Sequence, residues 1–238
     1  MKTTPISEHS FQLTRLGLFN CYLVRESDGF TLVDTGLPGS ADSILAVADK
    51  LGWPIYRIAL THAHGDHVGS VDEIARKLGA DPEHPQISPI ELAASPRTLP
   101  LLRQPPDKTL VPGEPTDKIK GSLPGIATRV TRQLSEGDLY GSLRVIETPG
   151  HIPGHVSFLD ERDGTLYAGD ALVSAGQLTV SGFAPWYFPL PNFVTWNKSV
   201  ALMSARKLLD YPIQRFATGH GAIRSGGIEA LRKAVAAV

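Results

Sequence analysis

The chain has 238 residues, of which 42% are apolar; it can bury one sizeable core, and an intrinsically disordered protein is excluded. Its 23 Lys and Arg residues balance 24 Asp and Glu residues, so the net charge of -1 gives no positive field that would attract nucleic acid or anionic lipid. The single cysteine, Cys21, excludes an internal disulfide, and the first residues lack the apolar run of a signal peptide. We therefore expect a cytoplasmic globular protein that binds neither nucleic acid nor membranes.

Short apolar strands alternate with amphipathic helices in the first third of the chain. Residues 27–29, Ser-Asp-Gly, separate two such strands and predict a hairpin. Apolar residues recur at helical spacing before Gly52 and again before Gly79, where each helix is expected to end. The predicted elements are strands at 18–26, 30–33 and 55–60 and helices at 40–51 and 68–78. This alternation is typical of an α/β fold.

Prolines are concentrated between Pro82 and Pro124, which predicts an irregular loop or lid at about residues 80–126. Regular structure is expected to resume beyond it as a second β lobe of the same domain, which spans residues 1–238. The predicted elements there are strands at 127–134, 142–147, 155–160, 165–168 and 213–217 and helices at 192–209 and 227–238.

Histidines and a carboxylate follow the apolar strand at 55–60 in the run Thr61-His62-Ala63-His64-Gly65-Asp66-His67. His62 and His64 are two residues apart and can point the same way at the end of a strand. Gly65 allows a sharp turn, so that Asp66 and His67 face a neighbouring point. Imidazole and carboxylate are ligands of borderline ions such as Zn²⁺. The run therefore predicts a metal site rather than a polar turn that caps the next helix.

Three later fragments also end an apolar run with a glycine-flanked donor. They are Thr148-Pro149-Gly150-His151, Tyr167-Ala168-Gly169-Asp170 and Ala217-Thr218-Gly219-His220. Each fragment alone is compatible with an ordinary turn. Together with the first run they supply seven donors, more than one tetrahedral ion can use. We therefore expect two adjacent divalent metal ions, with zinc first and manganese or iron as alternatives.

The order His-x-His-x-Asp-His followed by His, Asp and His resembles the signature of the metallo-β-lactamase superfamily. The resemblance extends from Asn20-Cys21-Tyr22-Leu23-Val24 to Gly219-His220-Gly221. It implies the metallo-β-lactamase fold, an α/β (α+β) four-layer αβ/βα sandwich with the metals at one edge of the two sheets.

The resemblance also implies a role for each donor. His62, His64 and His151 would hold the first metal, Asp66, His67 and His220 the second, and Asp170 would bridge both. Asp34, in Leu32-Val33-Asp34-Thr35-Gly36, matches an aspartate that orients the metal site without binding the metal. His155 is at most another residue that orients the metal site without binding the metal.

Two metals with a bridging hydroxide favour hydrolysis, with Asp66 or a metal-bound water as the proton donor to the leaving group. We expect a small ester, lactone or thioester as substrate. A glyoxalase II role is disfavoured, because the helical substrate domain of that subfamily would follow His220, where little sequence remains. The alternatives are a phosphodiesterase, a single-iron sulfur dioxygenase and a non-catalytic metal-binding protein of the same fold.

Aromatic residues cluster between Ser181 and Trp196. Such a segment can line an apolar acyl pocket, in which case the wall includes Phe183, Trp186, Tyr187 and Phe188. It can equally form the contact between two subunits of a homodimer.

Overall fold

Two mixed β-sheets form the centre of the molecule in the computed structural model, which describes residues 1–80 and 89–238. The first sheet has its strands in chain order, antiparallel from β1 to β4 and parallel from β4 to β7. Its strands are β1 Lys2–Pro5, β2 Ser10–Arg15, β3 Phe19–Arg25, β4 Phe30–Val33, β5 Ile55–Ala59, β6 Glu91–Ala94 and β7 Arg132–Gln133.

The second sheet is formed by the C-terminal half of the chain. Its strands are β8 Leu139–Tyr140, β9 Leu143–Glu147, β10 Val156–Asp160, β11 Thr165–Gly169, β14 Arg215–Thr218 and β15 Arg224–Ser225, in the order β15-β14-β11-β10-β9-β8. Only the pairing of β11 with β14 is parallel. A small hairpin, β12 Leu172–Val173 with β13 Thr179–Val180, follows β11.

Helices cover the outer faces of both sheets. They are α1 Ala41–Lys50, α2 Gly65–Val68, α3 Val71–Lys77, α4 Leu190–Val194, α5 Lys198–Lys207 and α6 Gly227–Ala236, with 3₁₀ turns at Leu99–Leu102 and Leu208–Asp210. Within the described ranges, none of the helices has the length and apolar character that crossing a bilayer requires.

Strand side chains alternate between two apolar layers, as a pleated sheet requires. Leu32 and Ile58 pack towards α1 and α3, whereas Val33 and Ala59 pack between the sheets. On the second sheet, Tyr167 faces the layer between the sheets, and its neighbours face a third layer under α5 and α6. The fold is therefore the expected αβ/βα sandwich.

Two predicted helices are interrupted. The helix predicted at 68–78 corresponds to α3 and is separated from Val68, the last residue of α2, because the backbone N–H groups of Gly69 and Ser70 bond to the turn after β4 rather than continuing one helix. The helix predicted at 192–209 is α4 and α5. The N–H groups of Trp196 and Asn197 donate to the carbonyls of His151 and Gly150, at 2.8 and 2.9 Å. These two hydrogen bonds fix the start of α5 to the loop that carries the candidate ligand His151.

The proline-rich segment is not wholly irregular. It contains β6, an inner strand of the first sheet, and its residues 81–88 lie outside the described residues. The strand predicted at 127–134 is limited to β7, because the N–H groups of Ala127 and Thr128 donate to the Asp72 carboxylate instead of a neighbouring strand. The strands β1 and β2 were not expected from the sequence.

Candidate metal centre

All seven candidate ligands follow the carboxyl ends of strands at one edge of the two sheets. His62, His64, Asp66 and His67 lie after β5, His151 after β9, Asp170 directly after β11 and His220 after β14. Side chains that are far apart in the sequence are thereby brought together. Three sets of donor atoms lie within 4.8 Å of one another: His62 with His64 and His151, His62 with His67 and Asp170, and Asp66 with His67 and His220.

The first of these sets, here the three-histidine group, consists of the buried His62, His64 and His151. The Nδ1 atom of His64 lies 3.1 Å from His62 Nε2 and 2.9 Å from His151 Nε2. The outward nitrogen of His64, Nε2, donates to the carbonyl of Lys120 at 3.0 Å. Its Nδ1 therefore carries a lone pair in the neutral imidazole.

The same reasoning applies to His62. The hydroxyl of Thr61 donates to Asp34 Oδ2 at 2.8 Å, since a carboxylate only accepts. The Thr61 oxygen must then accept from Nδ1–H of His62, at 2.9 Å. Nε2 of His62 is left with its lone pair directed at the other two imidazoles.

His151 is oriented by a chain of hydroxyl groups. Thr195 Oγ1 donates to the carbonyl of Pro191 at 2.5 Å and accepts from Ser181 Oγ at 2.9 Å. Ser181 Oγ in turn accepts from His151 Nδ1–H at 2.9 Å. All three inner nitrogens thus carry lone pairs, and that of His64 lies about 3 Å from each of the other two, an arrangement that a shared cation stabilises.

The second set, here the Asp66 group, consists of Asp66, His67 and His220. His220 Nε2 lies 3.3 Å from Asp66 Oδ2 and 3.1 Å from Asp170 Oδ2. His67 donates through Nδ1 to Asp34 Oδ2 at 2.7 Å, so its Nε2 carries a lone pair. Within residues 1–80 and 89–238, that buried Nε2 has no hydrogen-bond partner.

Asp170 lies between the two groups. Its Oδ1 is 3.3 Å from His67 Nε2, and its Oδ2 is 3.5 Å from His151 Nε2. Oδ1 is buried and, in the described part of the chain, has no hydrogen-bond partner. Unpartnered buried polar atoms are costly, so a cation between these atoms fits the donors present. The nitrogen and oxygen ligands suit zinc, manganese or iron.

The pKa shifts describe the electrostatics of the two groups. Burial lowers the pKa of all three imidazoles of the three-histidine group. Burial alone would also lower the pKa of His67 and His220, but the carboxylates around them outweigh it. The pKa of His67 is raised well above its ordinary value, chiefly by Asp170, and that of His220 is raised to about 9. The carboxylates thus favour positive charge on this side of the centre.

Asp34 and His155 contact the ligands from behind. Asp34 has a left-handed backbone, with φ of 58°, and its carboxylate accepts from the N–H of Thr61 at 2.8 Å besides Thr61 Oγ1 and His67. His155 Nε2 accepts from the backbone N–H of Asp170 at 3.0 Å. Burial lowers the pKa of His155 to about 3, so this imidazole stays neutral.

The aromatic segment corrects the predicted pocket wall. Phe188 lines the cavity beside the ligands, with its ring centroid 5.9 Å from that of His220. Phe183, Trp186 and Tyr187 do not line it. Phe183 packs against the layer under α5 and α6, while Trp186 is 87% exposed and Tyr187 is also exposed, so both rings point outwards.

The residues that form hydrogen bonds with the outward nitrogens of the imidazoles were not predicted from the sequence. Thr61 adjoins the first histidine run and could have been found there. Ser181, Thr195 and the carbonyl of Lys120 are remote in the sequence, and no spacing pattern indicates them.

A larger cavity of about 380 Å³, against Arg97, Glu114 and Trp196, contains none of the seven candidate ligands.

Comparisons with known proteins agree with this geometry. A sequence model described as the metallo-beta-lactamase superfamily matches residues 15–220. The chain is 44% identical to the uncharacterized protein YobT of Bacillus subtilis over 217 residues, covering 91% of this chain and 88% of that protein. It is 26% identical to the probable metallo-hydrolase YflN of the same organism, covering 92% and 85% of the two chains.

A hydroxyacylglutathione hydrolase of Rhodospirillum rubrum is 34% identical, but over 58% of this chain and only 42% of that enzyme. Among solved structures, TTHA1623 in a di-iron-bound form has a TM-score of 0.64 and 27% identity, covering 92% of this chain and 95% of that one. The B3 metallo-beta-lactamase BLEG-1 has a TM-score of 0.68 and 22% identity, covering 94% and 96%. The latter similarity is one of fold.

Proposed function

The chain belongs to the metallo-β-lactamase superfamily of metal-dependent hydrolases, and we propose that it hydrolyses a small, uncharged ester, lactone or thioester with two divalent metal ions. The observation that carries the proposal is the position of Asp170 between two groups of converging donors. The three-histidine group would hold one ion, the Asp66 group the other, and Asp170 both.

Two ions bound there would lower the pKa of water and polarise the carbonyl group of the substrate. Zinc is our first choice, and the di-iron form of TTHA1623 supports iron as the alternative. The proposed role of the outer residues is to keep the three-histidine group in its metal-binding tautomers. Thr61, Lys120 and Ser181 each engage the outward nitrogen of one imidazole, so that the inner nitrogen faces the metal.

Asp66 is the proposed proton carrier. It lines the cavity, and its side chain is 25% exposed, so it is accessible to substrate. In the metal-free chain, burial alone would raise its pKa, but protonated His67 and His220 hold the pKa of Asp66 well below its usual range, and bound metal ions would act in the same direction. The carboxylate is therefore ionised, and the oxygen that does not bind the metal could accept a proton from the attacking water and return it to the leaving group.

The cavity beside the ligands supports a small carbonyl substrate. Its volume is about 150 Å³. No Lys or Arg is found among the described residues that line it. Apart from the two proposed metal ions, a phosphodiester or an acidic glutathione portion would find no countercharge there, whereas an uncharged acyl group would contact apolar side chains. The relatives named hydroxyacylglutathione hydrolase support a thioester as one of the three bonds.

Trp186 and Phe193 are exposed by 87% and 68% on the outer side of the aromatic segment. They support a homodimer contact as an additional role of this segment, which light scattering of the purified protein tests. We also propose that residues 1–238 form one domain.

The test of function is a hydrolysis panel of p-nitrophenyl esters, lactones, thioesters and phosphodiesters with protein purified without chelator. We expect carbonyl substrates to react and phosphodiesters to be poor. The variant His62→Ala should lose both metal and activity. A preference for phosphodiesters would indicate a phosphodiesterase, oxygen consumption with persulfide substrates a sulfur dioxygenase, and inactivity of the metal-loaded protein a binding role.

A further inference from the structure

The cavity beside the candidate ligands offers few polar groups other than the ligands themselves. Of the described residues that line it, only Ser122 has a polar side chain outside the ligand set. The remaining wall is apolar or glycine, and its apolar side chains are Leu18, Phe19, Phe188, Leu190, Pro191 and Val194. If a polar atom of the substrate does not bind the metals, the Ser122 hydroxyl is therefore the side-chain group of the described lining with which it can form a hydrogen bond.

Ser122 belongs to a segment that is fixed to the ligand turn. Its carbonyl accepts from the N–H of Gly65 at 3.0 Å, between the ligands His64 and Asp66. Two residues earlier, the carbonyl of Lys120 accepts from His64 Nε2 at 3.0 Å. The end of the predicted lid is thus a fixed wall of the cavity.

Gly121 allows this close approach. Its φ is +85°, and a Cβ atom there would lie 2.3 Å from His64 Nε2. No other residue type fits between the segment and the imidazole without displacing one of them. The position of Ser122 relative to the ligands is therefore determined by its neighbours.

The side chain of Ser122 is exposed, and its hydroxyl has no hydrogen-bond partner among the residues that the structure describes. Its oxygen lies 3.4 Å from the point where a Cβ on Gly65 would be, directly over the ligand turn. The cavity has an excess of acceptors, because Asp66 and Asp170 are carboxylates. The Ser122 O–H is the side-chain donor that remains free for substrate.

We propose that Ser122 is a specificity-determining residue that donates a hydrogen bond to an uncharged oxygen acceptor of the substrate, close to the scissile carbonyl. The inference rests on the proposed hydrolase function and narrows its substrate class. The preferred substrate is an ester, lactone or thioester whose acyl chain carries an ether, hydroxyl or carbonyl oxygen beside an apolar portion. Lys120, two residues before Ser122, does not line the cavity, and its Nζ donates to the carbonyl of Thr195 at 3.5 Å.

The test compares two p-nitrophenyl esters of equal size, the methoxyacetate and the butanoate, which differ by an ether oxygen in place of a methylene. Zinc-loaded wild type, Ser122→Ala and Ser122→Thr are assayed for kcat/KM. Comparing the ratio of the two constants between variants cancels the intrinsic reactivity of each ester. We expect Ser122→Ala to lower the methoxyacetate-to-butanoate ratio about three- to tenfold, the effect of one neutral hydrogen bond. Ser122→Thr keeps the hydroxyl group and should keep the wild-type ratio.

The matched control is Ser43→Ala, the same chemical change at an exposed position of α1 that does not line the cavity. Metal content should be equal in all variants. An unchanged ratio in Ser122→Ala, or an equal change in Ser43→Ala, overturns the inference while the hydrolase proposal stands. If wild type hydrolyses neither ester, calorimetric binding of N-propyl methoxyacetamide against N-propylbutanamide tests Ser122 without turnover, and equal affinities in wild type and Ser122→Ala reject its role. The proposed function fails only if lactones and thioesters are also not hydrolysed.

Discussion

Replacing Asp34 by Ala should weaken metal binding although Asp34 is not a candidate ligand. Its carboxylate accepts from the Thr61 N–H, the Thr61 hydroxyl and His67 Nδ1 at 2.8, 2.8 and 2.7 Å. The bond to His67 fixes the tautomer that directs the Nε2 lone pair at the centre. Through Thr61, Asp34 also fixes His62. One side chain therefore orients a ligand in each of the two groups.

The magnitude follows from these contacts. Loss of a hydrogen-bond partner behind a metal ligand typically lowers metal affinity 10- to 100-fold, which is about 1.4 to 2.8 kcal/mol. The three donors also lose their acceptor. Each unsatisfied buried donor costs about 1 to 3 kcal/mol, so the free energy of unfolding of the metal-free variant should fall by at least about 3 kcal/mol.

Metal affinity is measured by competition with a chromophoric chelator, and stability by urea denaturation of the metal-free protein. Asp28→Asn is the control, because Asp28 pairs with Arg57 at the surface, away from the ligands. A folded Asp34→Ala protein that binds metal as tightly as wild type would refute the role of these hydrogen bonds in orienting the ligands.

Three further predictions concern the centre. Gly121→Ala should lower metal affinity at least tenfold in the same competition assay, because the added methyl group displaces His64; unchanged affinity would contradict this. Ser181→Ala should lower metal affinity about tenfold, because it removes the acceptor of His151 Nδ1–H; unchanged affinity in this variant would show that the hydroxyl chain is dispensable. In the metal-free protein, stability should be highest near pH 6.5. Below pH 6.5 stability falls, because the buried three-histidine group resists the protonation that the unfolded chain accepts. Above pH 6.5 the stabilising contribution of protonated His220 is lost as the pH rises through about 9. Urea titrations at pH 5.5, 6.5 and 9 measure this, and a monotonic rise in stability with pH would contradict it.

The fold and the clustering of the candidate ligands could be predicted because their signals are local. His62, His64 and His67 stand within a few residues of one strand end, and strand residues such as Leu32 and Val33 alternate between two apolar layers. A short inner strand such as β6 gives no such signal. Its four residues lie among prolines, and its place in the sheet depends on β5 and β7, which are distant in the sequence.

The environment of the ligands could not be predicted because it depends on long-range contacts. The hydroxyl chain from Pro191 through Thr195 and Ser181 to His151 joins residues that are up to 44 positions apart. Trp186 and Phe188 are both aromatic and only two positions apart in the sequence, yet one is exposed and the other lines the cavity. Only the path of the backbone distinguishes them.

The central claim is that two donor groups sharing Asp170 hold two metal ions. It is tested most directly by elemental analysis of the protein after equilibrium dialysis against zinc, manganese or iron(II), without chelator. We expect about two ions per chain for at least one of these metals. No bound metal, or a single ion per chain with all three, would contradict it.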